Sequence, residues 1–238
     1  LGVSRGLLVN AARMAVQLLL IGLVLETLLQ FAALAWVALL ALIMLLFAGR
    51  EAVARQHRRL RGWWSYGLGT AAMFVSSFAV TVLALTVMVR PEPWYQPQYA
   101  IPLLGMLLGN TMTGVALGLD RLTETAYEQR GVIEAQLILG ATWNTAIAAL
   151  RRQAMRSGLM PIINSMAAAG IVSLPGMMTG QILAGAPPLE AVKYQILIMF
   201  LIAAGTGFGT MLAVWWAARR LFDERQRLRL DRLAPVRS

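Results

Sequence analysis

Few side chains in this sequence could do covalent chemistry, and their types exclude most enzymes. There is no cysteine, which rules out a disulfide scaffold, a zinc finger and a cysteine nucleophile. The lone histidine, His57, stands among Arg55, Arg58, Arg59 and Arg61 and reads as a solvated loop residue. No Gly-x-x-x-x-Gly-Lys-Ser/Thr, His-Glu-x-x-His or Gly-x-Ser-x-Gly pattern occurs. P-loop hydrolysis of ATP, zincin chemistry and the serine-hydrolase elbow therefore have no carrier here. The expectation is a non-catalytic chain that binds no cofactor itself.

What remains is a sparse set of polar side chains inside apolar stretches. Asn10, Arg13 and Gln17 are spaced i, i+3, i+7 on one helical face, and Glu26 follows on the same stretch. Asn110, Thr111 and Thr113 lie in another, and Asn164, Ser165 and Gln181 in a third. Such groups turn toward a bundle interior or water. Arg13, Gln17, Glu26, Asn110, Thr111, Asn164, Ser165 and Gln181, together with Met166, Pro175, Met177 and Met178, are the candidates to line a translocation path, although Arg13 is close enough to a span end to snorkel. Met166, Met177 and Met178 surround Leu174-Pro175-Gly176. Thioethers suit soft ions such as Cu(I), and they also serve as flexible core filling. Pro175 breaks the backbone ladder, and broken helices are tolerated at membrane depth where protein or a water-filled cavity satisfies the freed groups. Iron would want carboxylate, imidazole or amide oxygen; the spans offer few, and the metal ligands stay unknown.

The elements that must position these residues follow from composition. The 238 residues are 58% hydrophobic and 13% charged, with mean hydropathy +0.65; a soluble domain has about 45–50% apolar and about 25% charged residues. A span needs about 20 apolar residues. Six are predicted, over 7–29, 31–48, 66–89, 99–119, 159–184 and 194–218. The first two form a tight hairpin. Period-two alternation is missing, so the fold class is all-α, a polytopic membrane helical bundle and not a barrel.

All basic residues except Arg90 and Lys193 fall on one side of this arrangement. That asymmetry places the 50–61 loop, the 120–158 segment and the basic tail 219–238 in the cytoplasm. It also accounts for the net charge of +10 without a nucleic-acid partner. The 120–158 segment reads as helix, break at Gly140, helix. Its apolar run Ala135, Leu137, Ile138 and Leu139 either packs on the protein's own helices or docks a partner. Four glycine pairs have GxxxG spacing: Gly105 and Gly109, Gly114 and Gly118, Gly176 and Gly180, Gly205 and Gly209. Small residues four apart let helices approach closely in lipid, within one chain or between two.

Glu134-Ala135-Gln136-Leu137-Ile138-Leu139-Gly140-Ala141-Thr142 resembles the EAA loop of ABC transporter permeases, in which a helix–turn–helix docks into a groove on an ATPase. Gln136 stands where that loop has a second alanine, and Leu150 to Gln153 stand where it has I-x-L-P. The blocks from Pro102 to Thr111 and from Pro161 to Gly185 are similar to the FetB/YbbM family, bacterial ABC permease subunits linked to iron export, with plant relatives linked to aluminium tolerance. The likeness continues through Ala191 to Phe200. It implies a single permease domain over 1–238 in the bacterial inner membrane with a cytoplasmic C-terminus, working as a homodimer. It also implies a separate cytoplasmic ATP-binding subunit of the FetA/YbbL type that uses ATP and magnesium. By that likeness Glu134, Ala135, Leu137, Ile138, Gly140 and Ala141 couple to the ATPase. Family members carry one more apolar segment upstream, so seven spans are expected in a complete chain. The rival reading from the residues is a gradient-driven transporter or channel.

Overall fold

The computed structural model describes residues 2–31 and 33–235, apart from the side chains of residues 2–6, 27, 30 and 31. It is helical, and no β-strand forms among the described residues beyond isolated bridges. Helices α1 (Gly2–Phe31) and α2 (Leu34–Ala54) are joined almost directly. Next comes one long helix, Trp63–Val89. Its α-helical stretches α3 (Trp63–Met73) and α4 (Ala79–Leu83) alternate with π turns at Phe74–Phe78 and Ala84–Val89. Pro91 and Pro93 end it. α5 (Pro97–Glu128) leads to the short α6 (Arg130–Ile138) and α7 (Trp143–Ala146), then to α8 (Ala148–Ala168), α9 (Gly176–Leu183) and α10 (Pro188–Arg220).

Among the described residues five helices are long and apolar enough to cross a membrane: Leu7–Glu26 within α1, then α2, Trp63–Val89, α5 and α10. The sixth predicted span, 159–184, is not one helix. α8 stops at Ala168, Ala169 is extended, Gly170 has φ +85, and α9 starts only after Pro175. The reason is local. Proline pushes the residue before it out of the helical region and cannot donate to the ladder, so an apolar run of span length is split. α8 and α9 together return the chain to the far end.

The centre of the bundle is α5, α8 and α10. α5 and α10, of 32 and 33 residues, are about 48 and 50 Å long, longer than a hydrocarbon core of about 30 Å. On α5, Leu104, Leu108, Thr111, Val115, Leu119 and Leu122 are buried at helical spacing, which explains why this stretch is a helix with neighbours on several sides. α8 lies antiparallel against it. A Cβ added to Gly158 would stand 2.5 Å from the Gly114 carbonyl oxygen and 2.6 Å from Thr210 Cγ2. One added to Gly114 would stand 2.6 Å from Thr210 Oγ1. Gly118 meets Val214 at 3.0 Å, and Gly205 meets Leu107 at 2.9 Å.

The glycine pairs therefore divide. Gly114, Gly118, Gly205 and Gly209 make close approaches, and Gly105 meets only the end of Met44 at 3.2 Å. Gly109, Gly176 and Gly180 meet nothing within 4 Å, so they do not pack helices within this chain as their spacing suggested. Spacing shows that two glycines share a face; rotation of the helix decides whether that face has a neighbour. Gly158, outside any pair, makes the tightest approach of the seam to another helix's backbone.

Replacing Gly158 with alanine is expected to cost about 1–3 kcal/mol, because the Cβ overpacks a backbone-to-backbone contact. Gly109→Ala is expected to be neutral or to stabilise by up to about 1 kcal/mol, since glycine weakens a helix interior. Thermal unfolding of the two variants in detergent checks both.

Candidate functional site

The α6–α7 hairpin lies at the end of the bundle where the arginines collect. Its base is bolted to the core: Ile133, Ala146 and Ile147 are buried. Its tip is not. Ile138 and Leu139 are each 86% exposed, and Glu134 and Ala135 are exposed on the same helix, while Leu137 and Ala141 are half-buried. Backbone chemistry sets the turn. The Gly140 N–H donates to the Leu137 carbonyl and the Ala141 N–H to the Gln136 carbonyl, both at 3.0 Å. This satisfies the last carbonyls of α6 and requires a left-handed residue at position 140; Gly140 has φ +89. Thr142 then caps α7, its hydroxyl accepting from the Thr145 N–H at 3.4 Å. The break expected at Gly140 is therefore a defined helix cap.

The hairpin is shorter than 120–158. Asp120 and Glu124 belong to the last turns of α5 and hold the 55–61 loop. Asp120 accepts from the His57 N–H at 2.7 Å and meets His57 Nδ1 at 3.1 Å. Thr123 donates to the Arg58 carbonyl at 2.5 Å. The Arg58 guanidinium lies 3.7 Å from Glu124 Oε2 and 3.6 Å over the Tyr127 ring. His57 is thus exposed but paired, where the sequence suggested plain solvation.

The basic tail 219–238 is folded as far as it is described; Arg237 lies outside the described residues. Leu221 and Phe222 are buried, and Phe222 lies 5.9 Å from the Trp143 ring. The Trp143 N–H donates to Gln226 Oε1 at 2.9 Å. Asp223 accepts from the Arg227 N–H and side chain at 2.8 and 2.9 Å, which holds its carboxyl below the usual carboxylate range. The Arg61 N–H donates to the Arg232 carbonyl, and the Ala234 N–H to the Arg59 carbonyl. A strap thus runs from α10 past the hairpin to the 55–61 loop. A groove of about 730 Å³ lies between hairpin and strap, lined by Glu134, Ile138, Gly140, Arg225 and Gln226 among others.

The membrane-level candidates do not converge. Arg13 on α1 pairs with Glu51 on α2 at 2.5 Å, beside a cavity of about 390 Å³ that Asn10 and Gln17 also line. Glu26, about 20 Å along the same helix, is exposed elsewhere. Thr111 is fully buried and accepts from the Ser77 hydroxyl at 3.3 Å. Asn110 faces outward, its amide donating to the Met106 carbonyl at 2.8 Å. Asn164, Ser165 and Met166 are exposed on α8. Pro175 caps α9, Met177 is half-buried, and Met178 is buried. Gln181 Oε1 is buried without a partner. The antiparallel register of Gly114 with Gly158 and Gly118 with Ala154 sets Asn110 opposite Ile162, within one helical turn of Asn164. Among the described residues no three His, Asp or Glu side chains gather to hold a metal ion.

Sequence reasoning missed Glu51. It lies 38 residues from Arg13, so no local spacing connects them, though an acid one turn from a span end was a usable signal. It also missed the buried hydroxyls Ser76, Ser77, Thr206 and Thr210 around Thr111; serine and threonine bond their own helix backbone and leave no charge signature.

The long apolar helices make this a multi-pass helical membrane protein. The family model described as "Uncharacterised protein family (UPF0014)" matches residues 1–222, and the chain belongs to that family. It is 42% identical over 197 residues to "UPF0014 membrane protein slr1647" of Synechocystis, covering 81% of this chain and 74% of that protein. It is 32% identical over 238 residues to "Probable iron export permease protein FetB" of Escherichia coli, covering 98% and 88%. It is 34% identical over 198 residues to "Protein ALUMINUM SENSITIVE 3" of Arabidopsis thaliana, covering 83% and 70%. No solved structure matches the chain.

The Asp120 partnership raises the His57 pKa above its ordinary 6.5, first through the hydrogen bond and then through charge. A raised folded-state pKa stabilises fully below about 6.5, and that stabilisation is lost as pH climbs through the raised value. Loop attachment should therefore weaken as the pH rises above 6.5 in wild type and lose this dependence in His57→Gln. Amide exchange of the 55–61 loop between pH 5.5 and 8.5 is the check.

Proposed function

We propose that this chain is the membrane permease subunit of an ABC transporter, and that the α6–α7 hairpin couples it to a separate cytoplasmic ATP-binding subunit. The observation that carries the reading is the contrast within the hairpin. Two large apolar side chains, Ile138 and Leu139, project from a turn whose base is locked into the core, at the end where the arginines collect. Exposed apolar side chains beyond the membrane boundary mark contact with another protein, and a rigid base lets a push at the tip reach α5 and α8.

The arginine asymmetry supports a cytoplasmic position for this end and for the C-terminus, in a bacterial inner membrane. The name of the E. coli relative supports iron, moving outward, as the cargo. Two permease copies with two ATPases make the simplest working unit. Asn110, Asn164, Ser165 and Met166, exposed along the α5–α8 side, are polar groups that lipid would not cover at low cost. A second copy facing them would enclose a path lined by amide, hydroxyl and thioether groups, suited to a weakly held or chelated metal. Glu26 and Gln181 would then serve its far end. Each approach of the ATPases would shift α5 and α8 together, because their backbones touch.

Gentle solubilisation of tagged permease from its native host should bring down a P-loop subunit with ATPase activity. Ile138→Asp, Glu134→Lys and Gly140→Trp should each reduce that recovery at least about tenfold, the loss expected when a central apolar anchor worth about 2 kcal/mol is removed. Folding is followed by detergent melting. Permease recovered alone, with transport driven by an ion gradient, would overturn the coupling role.

A further inference from the structure

At the basic end a second hollow, of about 680 Å³, opens between the first turns of α3 and the last turns of α10. One wall is apolar, made by Trp64, Gly67, Ala71 and Trp216; the other carries Arg219, Arg220 and Arg232. Trp63 at its mouth is 80% exposed. The hollow lies at the membrane boundary, because α3 and α10 enter the apolar layer there and tryptophan favours that level.

The chemistry of the two walls is specific. The Arg220 guanidinium lies 4.2 Å over the Trp64 ring. That stacking occupies the face of the guanidinium and not its N–H edge. Among the described residues no acceptor takes an Arg220 side-chain N–H. Arg232 spends one nitrogen, Nη1, on the Arg220 and Phe222 carbonyls at 2.6 and 3.2 Å and keeps the rest of its fork. Of the two acids on the rim, Asp223 is engaged by Arg227 at 2.9 Å, and Glu224 is exposed. The free charge in the hollow is therefore positive. Below it, Gly67 and Ala71, one turn apart, leave a smooth strip of α3 leading toward the bilayer centre.

We propose that this hollow binds one anionic glycerophospholipid from the leaflet at the basic end. Arg220 and Arg232 hold its phosphate, Trp63 and Trp64 flank its glycerol, and an acyl chain lies along Gly67 and Ala71. Phosphate alone would satisfy the arginines but not the apolar strip, and a neutral lipid would satisfy the strip but not the arginines. Basic pockets at helix ends near the membrane surface are suited to this chemistry.

The test uses the full chain in a neutral detergent, titrated with dioleoyl phosphatidylglycerol, dioleoyl phosphatidylcholine, inorganic phosphate or glycerophosphoglycerol, and read by thermal shift and native mass spectrometry. Phosphatidylglycerol should bind about fivefold or more tighter than phosphatidylcholine, the preference one arginine near a membrane surface confers. Phosphate and glycerophosphoglycerol should not stabilise. R220A and W64A should lose the preference, R220K should keep part of it, and E224Q, which touches no fold contact, should increase it. R152A, an exposed arginine outside the hollow, should leave it intact. Equal binding of the two lipids overturns the proposal, as does an intact preference in R220A or a loss in R152A equal to that in R220A. Stabilisation by phosphate alone overturns the lipid assignment in favour of a soluble anion. A misfolded R220A is recognised by its melting without lipid, and E224Q and R220K then decide.

Discussion

In a bilayer the lipid tails are as apolar as leucine, so α5, α8 and α10 gain little by burying leucine against leucine and are held by close approach instead. The approach happens at Gly114 and Gly158, where no Cβ fits between backbones, and at Gly118, Gly205 and Gly209, where side chains of the neighbouring helix fill the space a Cβ would take. The rest of the architecture hangs on that seam. It sets the register that brings Asn110 within one helical turn of Asn164, and aligns α8 with α5 so that the hairpin between them closes over buried Ile133 and Ile147.

The basic end is built on a different principle. There water is present, and order comes from hydrogen bonds and charge pairing between segments remote in sequence. Asp120 and Glu124 draw the 55–61 loop onto α5. Gln226, Phe222 and Trp143 tie the strap to the hairpin, and Arg232 and Ala234 tie it to the same loop. These exposed ion pairs are each worth little. Their effect is collective: three segments share one network, so the hairpin sits on a braced frame. The same network shapes the groove beside the hairpin and the hollow beside Trp64.

Much of the fold was legible because a bilayer writes simple rules. Length of apolar run gave the long helices, proline gave their ends, and a glycine within an otherwise helical segment gave the Gly140 cap. The candidate site was legible only in part. Ile138 could be named as an apolar residue near a break, but its exposure depends on how α6 sits over the core. The split of 159–184 was hinted at by Leu174-Pro175-Gly176, yet the stretch is apolar enough to count as a span, since hydropathy sums composition and ignores one lost hydrogen bond. Glycine spacing pointed equally at Gly109 and Gly114, and only the first faces open space.

By itself, then, the sequence determined the class: an all-helical membrane protein with one basic end, no nucleophile set, no P-loop, and a helix–turn–helix that ends in a required glycine. These properties are local or additive, and each is readable within about twenty residues. The tertiary structure alone decided which glycines touch, that Arg13 meets Glu51, that Asp120 and Glu124 serve a loop and not the hairpin, and that the arginine tail is a folded strap. Each of those depends on helix rotation or on partners dozens of residues away, and neither is encoded in the spacing of any one segment.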